Sequence, residues 1–398
     1  MQGFLRADGR KGIRNTLVVV YAVECSHHVA REIASRFRDR AVHLIGFPGC
    51  YPNEYAHGMM KRLCTHPNVG AVLVVSLGCE SLDCGELAGA IRESGRPVET
   101  AVIQKLGGTR KSIEAGAAWV AETLERIQSV PHVEMKSEEL VVGAICGGSD
   151  ATSGLTANPA IGRAFDLLVE RGATAIFDET GELIGCEQVL AQRAATPELA
   201  RELVAAIEKA ARYYATMGHG SFAPGNAEGG LTTIEEKSLG AYCKSGSAPI
   251  SGLIKPGDIP PAGGLYLLDV IPDGEVRFGF PNLTDNSQIA ELIACGAHVI
   301  LFSTGRGTVV GSAISPVIKI CANPETYRRM AEDMDLDAGR ILEGRGTLDE
   351  VGREVFDFTL ATASGAATAS ERFGHQEFIL TYKVFEPIRA SCLPRSSG

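Results

Sequence analysis

The first third of the sequence alternates between short apolar runs and segments with helical spacing. Apolar, β-branched runs predict four buried strands, at 16–23, 42–47, 69–77 and 98–103. Each strand is followed by a segment of helical spacing, at 26–37, 54–64, 86–94 and 113–128. Parallel strands require crossover connections of this kind, so the alternation predicts a doubly wound, Rossmann-like parallel sheet with helices on both faces.

A proline and several charged residues interrupt this alternation at 130–139 (VPHVEMKSEE). Beyond it, further strands are predicted at 140–145, 173–177, 265–270, 298–303 and 317–320. Further helices are predicted at 158–171, 183–193, 197–217, 286–295 and 348–363, and glycine and proline dominate 218–264. We therefore predict an α/β domain at 1–132, a larger α/β domain with long glycine-rich loops at 138–385, and a tail at 386–398.

Charge and composition exclude several classes of function. The formal net charge of −10 argues against nucleic acid as the main partner. No apolar run approaches the roughly 20 residues of a membrane span, and the N-terminus lacks the apolar region of a secretory signal. We therefore expect a cytoplasmic protein. Its eleven cysteines, an odd number, are then expected to be thiols or metal ligands rather than a disulfide framework.

A glycine-rich loop leads into a predicted helix at 225–241, GNAEGGLTTIEEKSLGA. Thr232 or Thr233 is a suitable N-cap, because a glutamate follows each of them at the capping-box spacing. Backbone N–H groups at such a helix start bind anions, although the loop could equally serve only to turn the chain. The candidate site residues of this region are Asn226, Gly229, Gly230, Thr232, Glu236, Lys237 and, in the loop before it, His219.

Four cysteines follow predicted strands directly. They are Cys25, Cys50, Cys79 and Cys146. Ligands of doubly wound sheets bind beyond the carboxyl ends of the strands, so these thiols could meet at an iron–sulfur cluster or one soft metal ion. The alternative is that they pack as small buried hydrophobic residues.

Polar loops also follow or precede predicted strands. After the strand at 140–145 the chain carries Cys146, Gly147, Gly148, Ser149, Asp150 and, at the next helix, Asn158. Glycine, hydroxyl, carboxylate and a helix N-terminus together suit an anion or a metal. Arg306, after another strand, suits a bidentate carboxylate contact. The arm before the first strand carries Arg6, Asp8, Arg10, Arg14 and Asn15, which either bind an anionic substrate or anchor the arm.

Several long motifs resemble the altronate and galactarate dehydratase family, over about residues 3–378. They are GFLRADGRKGIRN, LGCE, CGGSDATSGLTANPAIG, the glycine loop above, FSTGRGTVVG, PVIKI, EDMDLDAG and ASGAATASERFGHQEF. The resemblance implies dehydration of a sugar acid, a 2,3-dihydroxy carboxylate, to a 2-keto-3-deoxy acid. A related scaffold serves a sulfo-lyase that releases sulfite from sulfolactate. The resemblance also implies a divalent metal, with iron (Fe²⁺ or an Fe–S cluster) preferred and Mg²⁺ or Mn²⁺ as alternatives.

The resemblance has consequences for partners as well. Family members of the hexuronate pathway carry a small β-rich domain before the arginine-rich arm, whereas this sequence starts at the arm. We therefore expect a large subunit that works with a separate small subunit and forms a homo-oligomer. A chain of a different class, which only binds an acid ligand or scaffolds its partner, is the remaining alternative.

The chemistry of dehydration suggests roles for the candidate residues. A proton next to a carboxylate is weakly acidic, so its removal needs a base and a group that stabilises the enediolate. We assign Lys237 or His219 as base, and Arg306 with the Cys146–Asp150 loop to the substrate carboxylate. The metal ligands are then the cysteines, or alternatively Asp150 and Glu236. All of these residues are expected to meet in one cleft between the two halves of the chain.

Overall fold

A computed structural model describes residues 1–51, 53–217, 224–273 and 283–383. The strands in this part of the chain are β1 (Gln2–Leu5), β2 (Lys11–Gly12), β3 (Thr16–Tyr21), β4 (Val42–Gly46), β5 (Val69–Ser76), β6 (Val98–Val102), β7 (His132–Glu134), β8 (Val141–Cys146), β9 (Thr174–Phe177), β10 (Ile250–Ile254), β11 (Gly264–Leu268), β12 (Val299–Thr304), β13 (Val317–Cys321) and β14 (Leu336–Asp337). The helices are α1 (Glu24–Ser35), α2 (Glu54–Cys64), α3 (Cys84–Glu93), α4 (Ile103–Leu106), α5 (Thr109–Ile127), α6 (Ala157–Glu170), α7 (Glu187–Ala191), α8 (Pro197–Met217), α9 (Pro224–Glu228), α10 (Ile234–Cys243), α11 (Asp285–Ala294), α12 (Pro324–Arg329), α13 (Leu348–Ala363) and α14 (Ala369–Phe373).

Two parallel sheets confirm the predicted α/β fold. The first has the order β4-β3-β5-β6, and the second, of seven strands, has the order β10-β11-β9-β8-β12-β13-β14. In the second sheet the strands that follow β8 along the chain, β9, β10 and β11, all lie on one side of it, and the chain then crosses to the other side at β12. The carboxyl ends of β8 and β12 therefore flank the point where the strand order reverses, which is where open α/β sheets bind their ligands.

The structure differs from the sequence-predicted elements in several places; the glycine-rich loop predicted before α10, for example, contains the short helix α9. The helix predicted at 183–193 is shorter in the structure: a 3₁₀ turn, Thr180–Leu183, comes first, and only α7, Glu187–Ala191, is helical within the predicted range. Gly185 has φ +94° between them, a left-handed conformation that ends a helix. Strand β10 was not predicted, because it lies in the stretch where glycine and proline dominate. The domain bounds stay a prediction, and the tail at 386–398 lies outside the described residues.

A small antiparallel sheet, of order β2-β1-β7, joins the N-terminal arm to the segment that interrupts the alternation. Three arginines around this arm donate to carbonyl oxygens just after α2. Arg6 Nε donates to Pro67 at 2.6 Å, Arg10 Nη2 to Thr65 at 2.6 Å, and Arg96 Nη2 to His66 at 3.2 Å. Cations at a helix C-terminus neutralise its free carbonyl groups. These contacts anchor the N-terminal arm to the end of α2.

Replacing a helical glycine by alanine is expected to have opposite effects on stability at two positions. An added Cβ at Gly162 of α6 would lie 2.2 Å from the carbonyl oxygen of Cys243, at the end of α10. Gly58 of α2 has no such neighbour within 4 Å. We expect Gly162→Ala to lower the free energy of unfolding by about 1–3 kcal/mol through overpacking. The control Gly58→Ala should raise it by about 0.5–1 kcal/mol. Urea titrations of both variants provide the measurement, and an unchanged midpoint for Gly162→Ala would contradict this close packing.

Candidate functional site

The ends of β8 and β9 bring Cys146 and Glu179 side by side. The backbone N–H of Cys146 donates to Glu179 Oε1 at 2.5 Å, and its thiol lies 3.2 Å from Glu179 Oε2. Glu182, in the 3₁₀ turn after β9, places Oε2 3.3 Å from the same sulfur. Two carboxyl groups and one thiol therefore meet at the carboxyl edge of the second sheet.

Helix α10 places two lysines on this group. Lys237 Nζ lies 2.9 Å from Cys146 Sγ, 2.9 Å from Ser149 Oγ and 2.6 Å from Glu182 Oε2. Lys244, at the end of the helix, forms an ion pair with Glu179. Seven residues are two helical turns, so both ammonium groups lie on one face. Lys237 is 3% exposed and Lys244 is fully buried, which makes these ion pairs internal ones.

The backbone of Glu179 is in a left-handed conformation, with φ +92°. Among the described residues it is the one non-glycine residue with a positive φ. Such a conformation is unfavourable for a residue with a side chain and persists where surrounding contacts enforce it. Here it directs the carboxylate toward Cys146 and Lys244. Thr233 is the N-cap of α10, as one of the two sequence alternatives predicted.

Burial and neighbouring charges determine where the protons of this group reside. Burial and the charge of Glu179 raise the pKa of Glu182 to about 7. Burial, with both glutamates nearby, raises the pKa of Cys146 to about 12, so its sulfur stays a thiol. Although burial opposes it, the surrounding negative charges hold the pKa of Lys237 well above its usual value. Lys237 is therefore charged, and Glu182 is the group that titrates near neutral pH.

The donor atoms of Cys146, Glu179 and Glu182 lie within 4.8 Å of one another, so this group could hold a metal ion. A thiol with two carboxylates suits a borderline transition metal by donor type. Its negative charge, however, is already matched by the ammonium groups of Lys237 and Lys244. A cation bound between these donors would have to displace Lys237.

Three of the sequence-predicted loops meet beside this group. The backbone N–H groups of Gly305 and Arg306 donate to Gly148 O at 3.2 and 2.8 Å. Gly229 O accepts from Ala151 N at 3.1 Å. The predicted residues here are Gly147, Gly148, Ser149, Asp150, Asn226, Gly229, Gly230, Lys237 and Arg306. The structure shows that the loops carrying these residues converge. Their roles in substrate binding or catalysis stay predictions. The contacts described for this site all come from the second predicted domain, 138–385, rather than from both predicted domains.

Several contacts of these loop residues are internal to the protein. Asp150 Oδ2 accepts from Asn323 Nδ2 at 2.9 Å, and its Oδ1 accepts from Thr152 N at 2.9 Å. Arg306 donates to Gly225 O and lies 3.4 Å from Glu228, with a side chain that is 42% exposed. The Asp285 carboxylate covers Gly147, where a Cβ would lie 2.1 Å from its Oδ2. Arg306 is therefore the more accessible of these groups.

Other predicted residues lie apart from this group or make structural contacts. Arg14 pairs with Glu371 at 2.6 Å, and Asn15 donates to Ile127 O at 2.8 Å, at the amino end of β3. Asn158 bridges Ser303 Oγ and Gly240 O at 2.6 and 2.9 Å. Glu236 is exposed and accepts from Thr232 at the start of α10. His219 lies outside the described residues.

Cys25, Cys50 and Cys79 are exposed, each beyond the end of one of the neighbouring strands β3, β4 and β5. The loops of Cys50 and Cys79 touch, since Ser81 Oγ donates to Cys50 O at 2.5 Å. Within the described part of the chain, these three sulfurs do not form a group within 4.8 Å, and Cys146 groups with carboxylates instead. The structure thus separates the four predicted cysteine ligands into an exposed trio and one buried thiol.

Sequence reasoning missed three ionisable residues of the site: Glu179, Glu182 and Lys244. The available signal was the acidic stretch FDETGE, which begins at the end of the strand predicted at 173–177. Carboxylates at the carboxyl end of a parallel strand are candidates for a site. For Lys244 the sequence offers weaker evidence: it follows Lys237 by seven residues, a spacing that places two residues on the same face of a helix.

Comparison with known proteins shows the family to which this chain belongs. Residues 137–385 match the C-terminal domain of D-galactarate/altronate dehydratases, and residues 3–128 match the second domain of D-galactarate dehydratase/altronate hydrolase. The (2R)-sulfolactate sulfo-lyase subunit beta of Chromohalobacter salexigens is 33% identical, over 95% of this chain and 96% of that one. Altronate dehydratase of Bacillus subtilis is 30% identical, over 95% of this chain and 77% of that one.

A further relative, galactarate dehydratase (L-threo-forming) of Escherichia coli, is 33% identical over 94% of this chain and 74% of its own length. In the described residues, no helix is both long enough and apolar enough to span a membrane. The matched domains cover nearly all of the chain, and the named relatives are dehydratases and a sulfo-lyase subunit. The chain therefore belongs to the D-galactarate/altronate dehydratase family of lyases.

Proposed function

We propose that this chain is a metal-dependent hydro-lyase that converts a sugar acid with a 2,3-dihydroxy carboxylate into a 2-keto-3-deoxy acid. The observation that carries the proposal is the contact of 2.6 Å between Lys237 and Glu182 at the carboxyl edge of the second sheet. It combines a carboxyl group that titrates near neutral pH with a buried ammonium group. The names of the dehydratase relatives agree with this reaction.

The residues of the group can perform the elimination. The Glu182 carboxylate takes the proton from the carbon next to the substrate carboxylate, and the electron pair forms an enediolate. Lys237 stabilises that negative charge, which is the role of preorganised donors in a buried site. The β-hydroxyl then leaves as water, with a proton from Glu182 or from Asp285, and the resulting enol becomes the 2-keto acid. Because Lys237 stays charged, we give the role of base to Glu182 rather than to Lys237.

The substrate carboxylate needs a separate binding site. Arg306 is partly exposed beside the glycine-rich loops, and its planar guanidinium can form two parallel hydrogen bonds to a carboxylate. We propose that Arg306 binds the carboxylate together with backbone N–H groups of the loops around Gly148 and Gly229. His219 remains proposed as an acid or base from the sequence pattern alone.

For the metal we propose the exposed trio Cys25, Cys50 and Cys79, with iron as the preferred ion. The alternatives, Mg²⁺ or Mn²⁺, prefer oxygen ligands and would require carboxylates rather than this trio. Thiolates are soft ligands that suit iron or an Fe–S cluster, and the ends of β3, β4 and β5 are neighbours in the first sheet. The Cys146 group is the second choice, because its charge is already balanced by two lysines. A bound divalent ion would supply a Lewis acid for a substrate oxygen.

Cysteine variants distinguish the two metal positions. We expect Cys25→Ser, Cys50→Ser and Cys79→Ser each to lower the iron and sulfide content of anaerobically purified protein strongly, because each removes one ligand. Cys146→Ser, the matched control, should leave the metal content unchanged. Elemental analysis and sulfide determination provide the measurement. Loss of metal only in Cys146→Ser would place the ion at the buried group instead.

We propose that the chain acts as a large subunit in the cytoplasm, together with a separate small subunit, and that it also forms a homo-oligomer. Support comes from the sulfo-lyase relative, which is named a subunit and of which this chain covers 96% of the length.

The same relative favours a second candidate function, sulfite release from sulfolactate. Assays of the co-purified complex for 2-keto-3-deoxy acid from sugar acids, and for sulfite from sulfolactate, distinguish the two. Ligand binding without either product would indicate a non-catalytic, acid-binding or scaffold subunit.

A further inference from the structure

A third carboxyl group lies directly behind the site. Asp178 is the first residue after β9 and is 1% exposed. Its Oδ1 accepts the backbone N–H of Glu179, the residue with the left-handed backbone. Its own backbone N–H donates to Ala144 O of β8 at 3.2 Å, which continues the pairing of the two strands. The side chain therefore fixes the peptide at which the chain turns from the sheet into the site.

This contact matters because Glu179 needs its unusual conformation to reach its partners. In this conformation Glu179 Oε1 accepts the Cys146 N–H, while Glu179 Oε2 accepts from Lys244 and lies 3.2 Å from the Cys146 thiol. A left-handed backbone is unfavourable at a non-glycine residue, so it needs a compensating contact. The hydrogen bond from the Glu179 N–H to Asp178 is a contact of this kind.

The other side of Asp178 faces the elements that join the two sheets. Glu291 of α11 lies near enough for its charge to act on Asp178, and it accepts from Tyr55 of α2 and from Lys383. Lys383 also donates to Val270 O at 2.8 Å. Asp178 Oδ2 and Glu291 Oε2 are both buried and without a hydrogen-bond partner among the described residues. Asp178 is thus enclosed on one side by this network and on the other by Glu179.

We propose that Asp178 is a positioning residue: by accepting the Glu179 N–H it holds Glu179 in the left-handed conformation from which it orients Cys146 and Lys244. The role does not include contact with the substrate. It rests on the proposed function only for the readout of turnover. Its structural consequence, protection of the amides at 179 and 146, is independent of any reaction.

Two substitutions separate the hydrogen bond from the volume of the side chain. Asp178→Asn keeps the Oδ1 acceptor, so it should retain most of the turnover and the wild-type amide protection. Asp178→Leu keeps a similar volume without an acceptor. We expect about a 10²-fold lower kcat, because a small misplacement of a site is enough for such a loss. Hydrogen exchange in peptides covering 141–147 and 174–183 should be faster in the leucine variant alone.

The matched control is Asp269, which is also 1% exposed and follows the neighbouring strand β11, but pairs with Lys209 and Lys255. Asp269→Asn should lower the melting temperature without changing kcat. A folded Asp178→Leu with wild-type exchange at 146 and 179 would overturn the proposal, as would an asparagine variant as impaired as the leucine one. If Asp178→Leu does not fold, Asp178→Ala takes its place. Absence of turnover in the wild type, with the exchange pattern as expected, would count against the proposed function alone.

Discussion

Replacing Lys237 by methionine is expected to lower kcat/KM by about 10²–10³-fold, the usual effect of removing one preorganised donor from a transition-state site. Methionine has nearly the same length as lysine but carries no charge, so the packing of α10 is preserved. The ammonium group that contacts Cys146, Ser149 and Glu182 is the one feature removed. Steady-state kinetics with the sugar-acid substrate provide the measurement.

The stability of this variant should depend on pH in a defined direction. Without Lys237, the pKa of Glu182 rises further above its present value of about 7, because the opposing positive charge is gone. A raised carboxyl pKa means that stability is greatest at low pH and falls as pH rises toward that pKa. The variant should therefore be folded by circular dichroism at pH 6, and as pH rises above about 7 it should continue to lose stability, whereas the contribution of Glu182 in the wild type is by then already lost.

Lys209 offers a matched control for Lys237. It is also a partly buried lysine at the carboxyl edge of the second sheet, where it pairs with Asp269 and Asp273 at 2.6 Å each. Lys209→Met should change stability but leave kcat/KM near the wild-type value. Near-normal activity of Lys237→Met, in a folded protein, would remove Lys237 from the mechanism.

Replacing Glu182 by glutamine is expected to remove the acid limb of the pH–rate profile. A base must be deprotonated to act, so kcat/KM of the wild type should rise with pH and level off above pH about 7, the pKa of Glu182. Glutamine cannot take the proton, and loss of a general base typically lowers the rate by about 10²–10⁴-fold. The remaining activity should not depend on pH in this range.

The same substitution should change the pH dependence of folding. The folded pKa of Glu182, about 7, lies above its usual value of 4.5. Its contribution to stability is therefore present at low pH and is lost as pH rises through 7. Unfolding midpoints of Glu182→Gln should vary less between pH 5 and pH 8 than those of the wild type. Glu187→Gln, at a half-buried neighbour that accepts the backbone N–H of Gly185, is the control and should match the wild type. An unchanged acid limb in Glu182→Gln would assign the base to another residue.

Local sequence patterns were sufficient for the parts of the fold that depend on neighbours in the chain. Alternating apolar runs and helical segments predicted the first parallel sheet, because each strand is bounded by its own crossover helix. The start of α10 followed from a threonine N-cap with a glutamate three residues later. The position of Cys146 to Asp150 at a strand end followed in the same way.

The members of the charged group could not be read from the sequence in the same manner. Glu179, Glu182 and Lys244 look like ordinary solvated charges, because burial depends on α10 packing across the ends of β8 and β9. Strand pairing is also non-local. Strands β8 and β12 pair with Val142 opposite Val299, although more than 150 residues separate the two strands along the chain. Only that pairing brings Arg306 and Gly148 together.

Short-range patterns and long motifs were enough to predict the α/β class, the family, the loop after β8 and the cysteines at strand ends. Contacts between distant segments are needed to explain why Cys146 meets two glutamates rather than three cysteines, why Lys237 is charged and why Glu182 titrates near pH 7. The physical reason is that a pKa and a ligand set depend on desolvation and on charges a few ångströms away. Those neighbours come from strands and helices distant in the chain.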